Sequence, residues 1–408
     1  MFMTEQELRD SLDEHFTPAR PAIHNYVERD RVDTNFRDAL HEPGFQVMVY
    51  GPTGVGKSSL VWSTLDKLGL TYYRFGFDDG ITESNLFPKI MQKLGFEKVT
   101  TDKKTYESGT SVLTSAGVKI WNLITFKGAF GANSKKIDEQ VFVPYHNDAD
   151  VDAVAEALMK LDCVLFLDDL EKIKNDDIKK LLAHLGKKMS DLSGSLKTNS
   201  KIIYAGISQE VSKLISLDQS LRDRLADQML EKLHDSEVKQ IFTKGWSAVG
   251  FDYSEIDLDH IASLCCGYAR YAHWIGKQSV LHAFRASRHR LESSDINDAI
   301  EFIITRYRDD YQTRIDKATG HKGGHRIREA ILYAMAECNE IEVSFDYIVN
   351  NASKIRNIDF KKTQISGPLG ELKKPARGSL LEDGRMTGYH RFTDLMLKPY
   401  IRMLRLGY

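Results

Sequence analysis

The stretch GPTGVGKSS, residues 51–59, constrains this chain more than any other. It fits the pattern G-x-x-x-x-G-K-[ST]. An apolar run, FQVMVY at residues 45–50, precedes it, and a segment of helical spacing, KSSLVWSTLDKLG, follows. A strand before and a helix after are the context such a loop requires. Gly51, Gly54 and Gly56 permit backbone turns that aim successive N–H groups inward. The helix opening near Lys57 puts its positive end on a bound phosphate. Lys57 adds a point charge for terminal phosphates, and the Ser58 hydroxyl can ligate Mg²⁺. Pro52, Thr53, Val55 and Ser59 complete the cradle. The plain alternative, a glycine-rich turn with a surface lysine, leaves the flanking elements unexplained.

A second stretch gains its meaning from the first. VLFLDDLEKI, residues 164–173, drives an apolar run into Asp168, Asp169 and Glu171. Burying an unpaired charge is costly, so a cation belongs there. Mg²⁺ with ATP, held from the other side by Ser58, makes Asp168 the metal-side carboxylate. A helix N-cap role for Asp168 or Asp169 is the structural alternative, and it is compatible with that function.

The runs TYYRFGF, CVLFLDD and KIIYAGIS read as further strands, with amphipathic helices between them. Such alternation predicts a parallel sheet covered on both faces, an α/β P-loop NTPase core over residues 1–210 with a lead-in helix. After residue 210 the strands stop, and segments including SLRDRLADQML read as helices, an all-α lid over 211–317. ATGHKGGH, residues 318–325, reads as a linker; Gly323 and Gly324 argue against a metal site built on His321 and His325. Residues 326–408 read as three helical stretches, a hairpin turning near EDGR, and a last helix. Residues 100–140 are irregular, a surface element or a partner loop exposing Trp121 and Phe126.

The formal net charge of −2 excludes a nucleic-acid polycation, so any basic surface is local. Residues 354–408 carry twelve Lys/Arg against five Asp/Glu. Lys361, Lys362, Lys373, Lys374 and Arg377 flank the third helix of that region, a signal for DNA phosphate contact. Docking of this module on the ATPase core or on a partner protein is the competing reading. The four cysteines show no metal-ligand spacing and fit a reducing cytosol. No apolar run reaches the roughly 18 residues of a membrane helix, so a cytoplasmic location is expected.

Taken in order, these segments resemble the AAA+ superfamily, in particular its origin-recognition-like branch and the bacterial ATP-binding proteins related to it. The resemblance covers most of the chain. It implies that AIHNYVERDRVDTNFRDAL brings Tyr26 and Val27 near the adenine. It implies that KIIYAGISQEVSKLI carries a sensor residue, Ser208 or Gln209, near the γ-phosphate. DQSLRDRLADQMLEKL looks like the arginine-finger stretch and offers Arg222 and Arg224, while CCGYARYAHWIGK puts Arg270 at the sensor-arginine position. RGSLLEDGRMTGYHRFTDLMLKPYIRM is similar to the wing and final helix of a winged-helix domain. The resemblance therefore implies an ATPase that uses ATP and Mg²⁺, assembles as a homo-oligomer, and acts on DNA or a partner effector. Bacterial relatives of this type suggest roles that include antiphage defence. One departure stands out. The branch commonly carries Glu after the metal-side Asp, and here that place is Asp169, shorter by one methylene. Slow hydrolysis follows, or a nucleotide switch with little turnover whose winged helix docks or autoinhibits. Glu171 is an alternative base, wrongly aimed if the chain has already turned helical.

Overall fold

The computed structural model describes residues 4–100, 124–126, 141–144, 149–193, 198, 200–253, 256–320 and 325–407. Trp121, His321 and most of 100–140 lie outside the described residues. The chain forms two compact units.

The first unit, Glu28–Pro52 with Leu60–Leu230, is built on a five-stranded parallel sheet. Its strands are β1 (Gln46–Tyr50), β2 (Tyr72–Gly76), β3 (Val164–Asp168), β4 (Lys201–Gly206) and β5 (Leu225–Met229), in the order β2-β3-β4-β1-β5. Every residue of β3 and β4 is buried, as two covered faces require. Helices Leu86–Lys93, Val151–Leu161 and Asp176–Ser193 supply apolar stripes to that core. The register pairs Tyr50 with Gly206 and Gly76 with Asp168, so β1 to β4 end together at one edge. Ligands of open α/β sheets bind at that carboxyl edge.

β5 corrects the helical reading of SLRDRLADQML. A single turn, Gln219–Arg222, is followed by a strand on the sheet edge. The segment LADQM buries only Leu225 fully, so it carries little strand signal of its own. Backbone pairing decides it: β5 runs in parallel register with β1, and the Gln46 N–H donates to the Arg224 carbonyl at 2.8 Å. Strands at Phe96–Thr100, Ile124–Phe126 and Val141–Pro144 form a separate antiparallel sheet.

The second unit comprises Met1–Val27, Thr53–Ser59 and Glu231–Tyr408. Helices Asp235–Ala248, Leu258–Leu264, Ala269–Arg285 and Ser293–Arg306 dominate its first half. The lead helix, Glu5–His15, starts at a capping box of Thr4 and Glu7 and packs here. The Phe16 ring fills space left by two glycines; a Cβ on Gly245 or Gly276 would lie 2.3 or 2.1 Å from it. The second half holds helices His325–Glu337, Phe345–Arg356 and Lys362–Leu372 and a three-stranded antiparallel sheet. That sheet joins Val343–Ser344, Tyr389–Phe392 and Leu381–Asp383, and helix Leu397–Leu404 closes the chain. Among the described residues no helix is long and apolar enough to cross a membrane. All four cysteines are buried and free.

Candidate nucleotide site

β1 leads directly into the phosphate loop. Gly51 has φ +155°, and a Cβ there would lie 2.2 Å from the Leu230 carbonyl oxygen. The Leu230 N–H in turn donates to Tyr50 O at 2.7 Å, so the crossing is tight and only glycine fits. The Gly51 N–H donates to Gly206 O at 3.3 Å, tying the start of the loop to the end of β4. Beyond Pro52, Gly54 (φ +82°) and Gly56 (φ +94°) take left-handed turns, and the helix begins at Lys57. Val55 is buried, Lys57 and Ser58 are half-buried, and Thr53 is exposed. Ser59 Oγ accepts the Ala22 N–H at 3.0 Å.

Asp168 ends β3, with β4 between it and β1. It is 2% exposed. Its Oδ1 accepts the Asp169 N–H at 3.1 Å, and its Oδ2 accepts Arg74 Nε, from β2, at 2.8 Å. Asp169 sits in the left-handed region at φ 62° and points elsewhere. Its Oδ2 accepts Lys172 Nζ at 2.7 Å and lies 3.9 Å from Arg74. That hydrogen bond with Asp169 raises the Lys172 pKa, so the lysine stays charged. Glu171 belongs to a single 3₁₀ turn, Leu170–Lys172, rather than an α-helix. Its Oε2 is buried without a hydrogen-bond partner, 3.5 Å from where a Gly206 Cβ would sit.

The Asp168 carboxylate is an oxygen donor of the kind a hard divalent cation takes. Among the described residues no group of three or more His, Cys, Asp or Glu could hold a metal ion.

The other expected residues are placed as follows. Arg222 is exposed at the end of its one-turn helix. Arg224 is half-buried and ion-paired with Asp191 at 2.9 Å. Arg270 is exposed in the first turn of Ala269–Arg285. Ser208 and Gln209 open helix Ser208–Leu217 directly after β4, and their side chains lie outside the described residues. Val27 is buried in the hydrophobic core of the second unit, and Tyr26 is half-buried beside it in the chain.

Two participants had no signal in the sequence. Arg74 lies in a strand whose pattern says nothing of its partner. Met396 lies near the C-terminus, yet a Cβ on Gly54 would be 2.9 Å from Met396 Cε and 3.5 Å from the Tyr268 ring. Tyr271 holds that segment by donating its hydroxyl to Met396 O at 2.6 Å.

A glycine loop leaving β1 and a buried aspartate ending β3, on a sheet ordered β2-β3-β4-β1-β5, define a P-loop nucleotide-binding protein. Residues 47–233, a little under half of the chain, match the AAA family, the ATPase family associated with various cellular activities. Its fold is similar to that of a Walker-type ATPase of Pyrococcus abyssi, at 14% identity and a TM-score of 0.50, covering 94% of this chain and 99% of that one. Cdc6p from Pyrobaculum aerophilum is also similar, at 14% identity and TM-score 0.46, over 97% and 98% of the two chains. So is Drosophila ORC bound to DNA, at 13% identity and TM-score 0.44, over 99% and 94%. No curated protein matches this chain.

Proposed function

We propose that this protein binds Mg-ATP and hydrolyses it slowly, as a homo-oligomer whose C-terminal module responds to the nucleotide. The observation that carries the reading is the shared sheet edge of Gly51 and Asp168. Residues 51–59 bind the phosphates, Lys57 neutralises them, and Tyr26 and Val27 neighbour the base. Ser58 and Asp168 would hold Mg²⁺, which when bound offsets charge on the transferring phosphoryl group. Ser208 or Gln209 and Arg270 report the γ-phosphate. Of the two finger candidates, the exposure of Arg222 supports its reaching a neighbouring subunit, whereas Arg224 is engaged by Asp191. The test is fluorescent-ATP binding and phosphate release by the full chain. Lys57→Ala should abolish both; turnover that survives it removes the ATPase reading.

A second observation favours docking as the role of the C-terminal module. The order helix, strand, helix, helix, strand, strand supports a winged helix over residues 326–408. Its basic residues are largely met from within: Lys362 by Asp346, Lys373 by Asp383, Arg377 by Glu371, Arg385 by Glu342 and Arg391 by Glu382. Tyr311 also donates to Asp394 at 3.0 Å. We therefore read this module as a docked, autoinhibitory element rather than a free DNA reader. Tight, steeply salt-dependent DNA binding by the full chain would overturn that. A cytoplasmic role in antiphage defence, drawn from the resemblance, is tested by phage plating on cells carrying the chain or its Lys57→Ala variant.

A further inference from the structure

We infer that Glu171, rather than Asp169, orients the water that attacks ATP, an assignment that rests on the hydrolase reading above. Three observations carry it. First, Asp169 is turned aside: its left-handed backbone aims the side chain at Lys172, and Arg74 stands near the same oxygen. A short carboxylate held by a cation is a poor acceptor for a water proton. Second, Glu171 Oε2 is buried with no hydrogen-bond partner. A buried, unsatisfied carboxylate oxygen is costly and calls for a partner, which an attacking water would supply. Third, its place is the right one. The 3₁₀ turn after Asp168 folds Glu171 back over the end of β4, where Gly206 has no side chain to exclude it. The Gly206 carbonyl at that strand end accepts the N–H of Gly51, the first residue of the phosphate loop. The carboxylate thus lies beside the end of β4, the strand adjacent to β1, from which the loop departs.

In the step assigned to it, Glu171 accepts a hydrogen bond from the attacking water. The water oxygen bonds to the γ-phosphorus as the bond from that phosphorus to the bridging oxygen breaks. ADP leaves with the bridging oxygen and its electron pair. The water proton passes to Glu171 and then to the released phosphate, with no oxidation or reduction.

The experiment compares Glu171→Gln and Asp169→Asn in the full chain, by single-turnover phosphate release and by fluorescent-ATP binding. Glu171→Gln should slow release about 100-fold, the usual weight of a positioned acid–base group. ATP affinity should stay within about twofold, because Glu171 lies outside the phosphate cradle. Asp169→Asn should slow release less than about tenfold. If Glu171→Gln does not fold, Glu171→Asp replaces it and should lose about tenfold. The assignment fails if Asp169→Asn costs more than Glu171→Gln, or if Glu171→Gln releases phosphate at the wild-type rate. A wild type that binds ATP yet releases no phosphate removes the hydrolase reading and this role together.

Discussion

At the end of β3, Arg74 and Lys172 meet carboxylates; at the end of helix His325–Glu337, Arg402, Lys398 and Lys232 meet main-chain carbonyls. Arg402 donates to Ala336 O at 2.6 Å, Glu337 O at 3.0 Å and Asn339 Oδ1 at 3.0 Å, and it also reaches Ser263 O. Lys398 donates to Glu340 O at 2.8 Å, and burial pushes its pKa down to about 8. The last carbonyls of a helix have no partner within it, and here Arg402 satisfies those of Ala336 and Glu337, while Lys398 and Lys232 hold carbonyls of the turn that follows. The difference is one of exchangeability. A carboxylate held by a half-exposed arginine can exchange that partner for another cation. A carbonyl cap has no competing ligand of similar strength, and two of these contacts, Lys232 on Asn339 O and Arg402 on Ser263 O, fasten the C-terminal module to the lid segment.

Each contrast can be broken by substitution. The largest effect is expected at Gly51→Ala, whose Cβ would meet the Leu230 carbonyl oxygen at 2.2 Å, backbone against backbone. A loss on the order of 4 kcal/mol, or failure to fold, is expected in denaturant melts. A wild-type midpoint would show that the loop start has more room than its geometry allows. Arg402→Ala should come next, at about 3 kcal/mol, because it strands several carbonyls at once. Lys172→Ala, which removes one exposed pair with Asp169, should cost under about 1 kcal/mol. Equal losses for Arg402 and Lys172 would erase the distinction between cap and exchangeable pair.

Acid should act on the second unit through His273. This imidazole is buried, its Nδ1 accepts the Thr17 N–H, and burial holds its pKa down to about 4. The unfolded chain therefore takes up the proton first. Stability is fully present above about pH 6.5 and is lost as pH falls towards 4. By pH 5 the loss is roughly 2 kcal/mol. Melts of the wild type and a His273→Gln variant at pH 7 and pH 5 check it; an identical pH response in both sinks the assignment. A smaller effect is expected from Arg74→Gln. Arg74 is half-exposed, so solvent weakens its hold on Asp168, and removing it should lower the Mg²⁺ needed for half-maximal ATP binding by a few-fold. A higher requirement would make Arg74 a support for Asp168 rather than a competitor. The smallest is Lys362→Ala, whose pair with Asp346 is solvent-exposed on both sides and should matter by less than about 0.5 kcal/mol.

The sequence by itself determined the order of the parallel core's parts. The phosphate loop, its flanking strand and helix, and the apolar run ending at Asp168 are local patterns. Their chemistry is fixed by residue type and spacing, which survive without knowledge of distant contacts. Only the tertiary structure decided that LADQM is a strand, because pairing with β1 supplies the hydrogen bonds its composition does not announce. The same holds for the carboxylates. Asp168, Asp169 and Glu171 lie within four residues of each other, and nothing in that spacing tells which oxygen is taken. The choice falls to Arg74, 94 residues away in sequence, and to the missing side chain of Gly206. It also took the fold to bring Met396 against Gly54, since contacts between distant segments follow from packing, to which a linear pattern is blind.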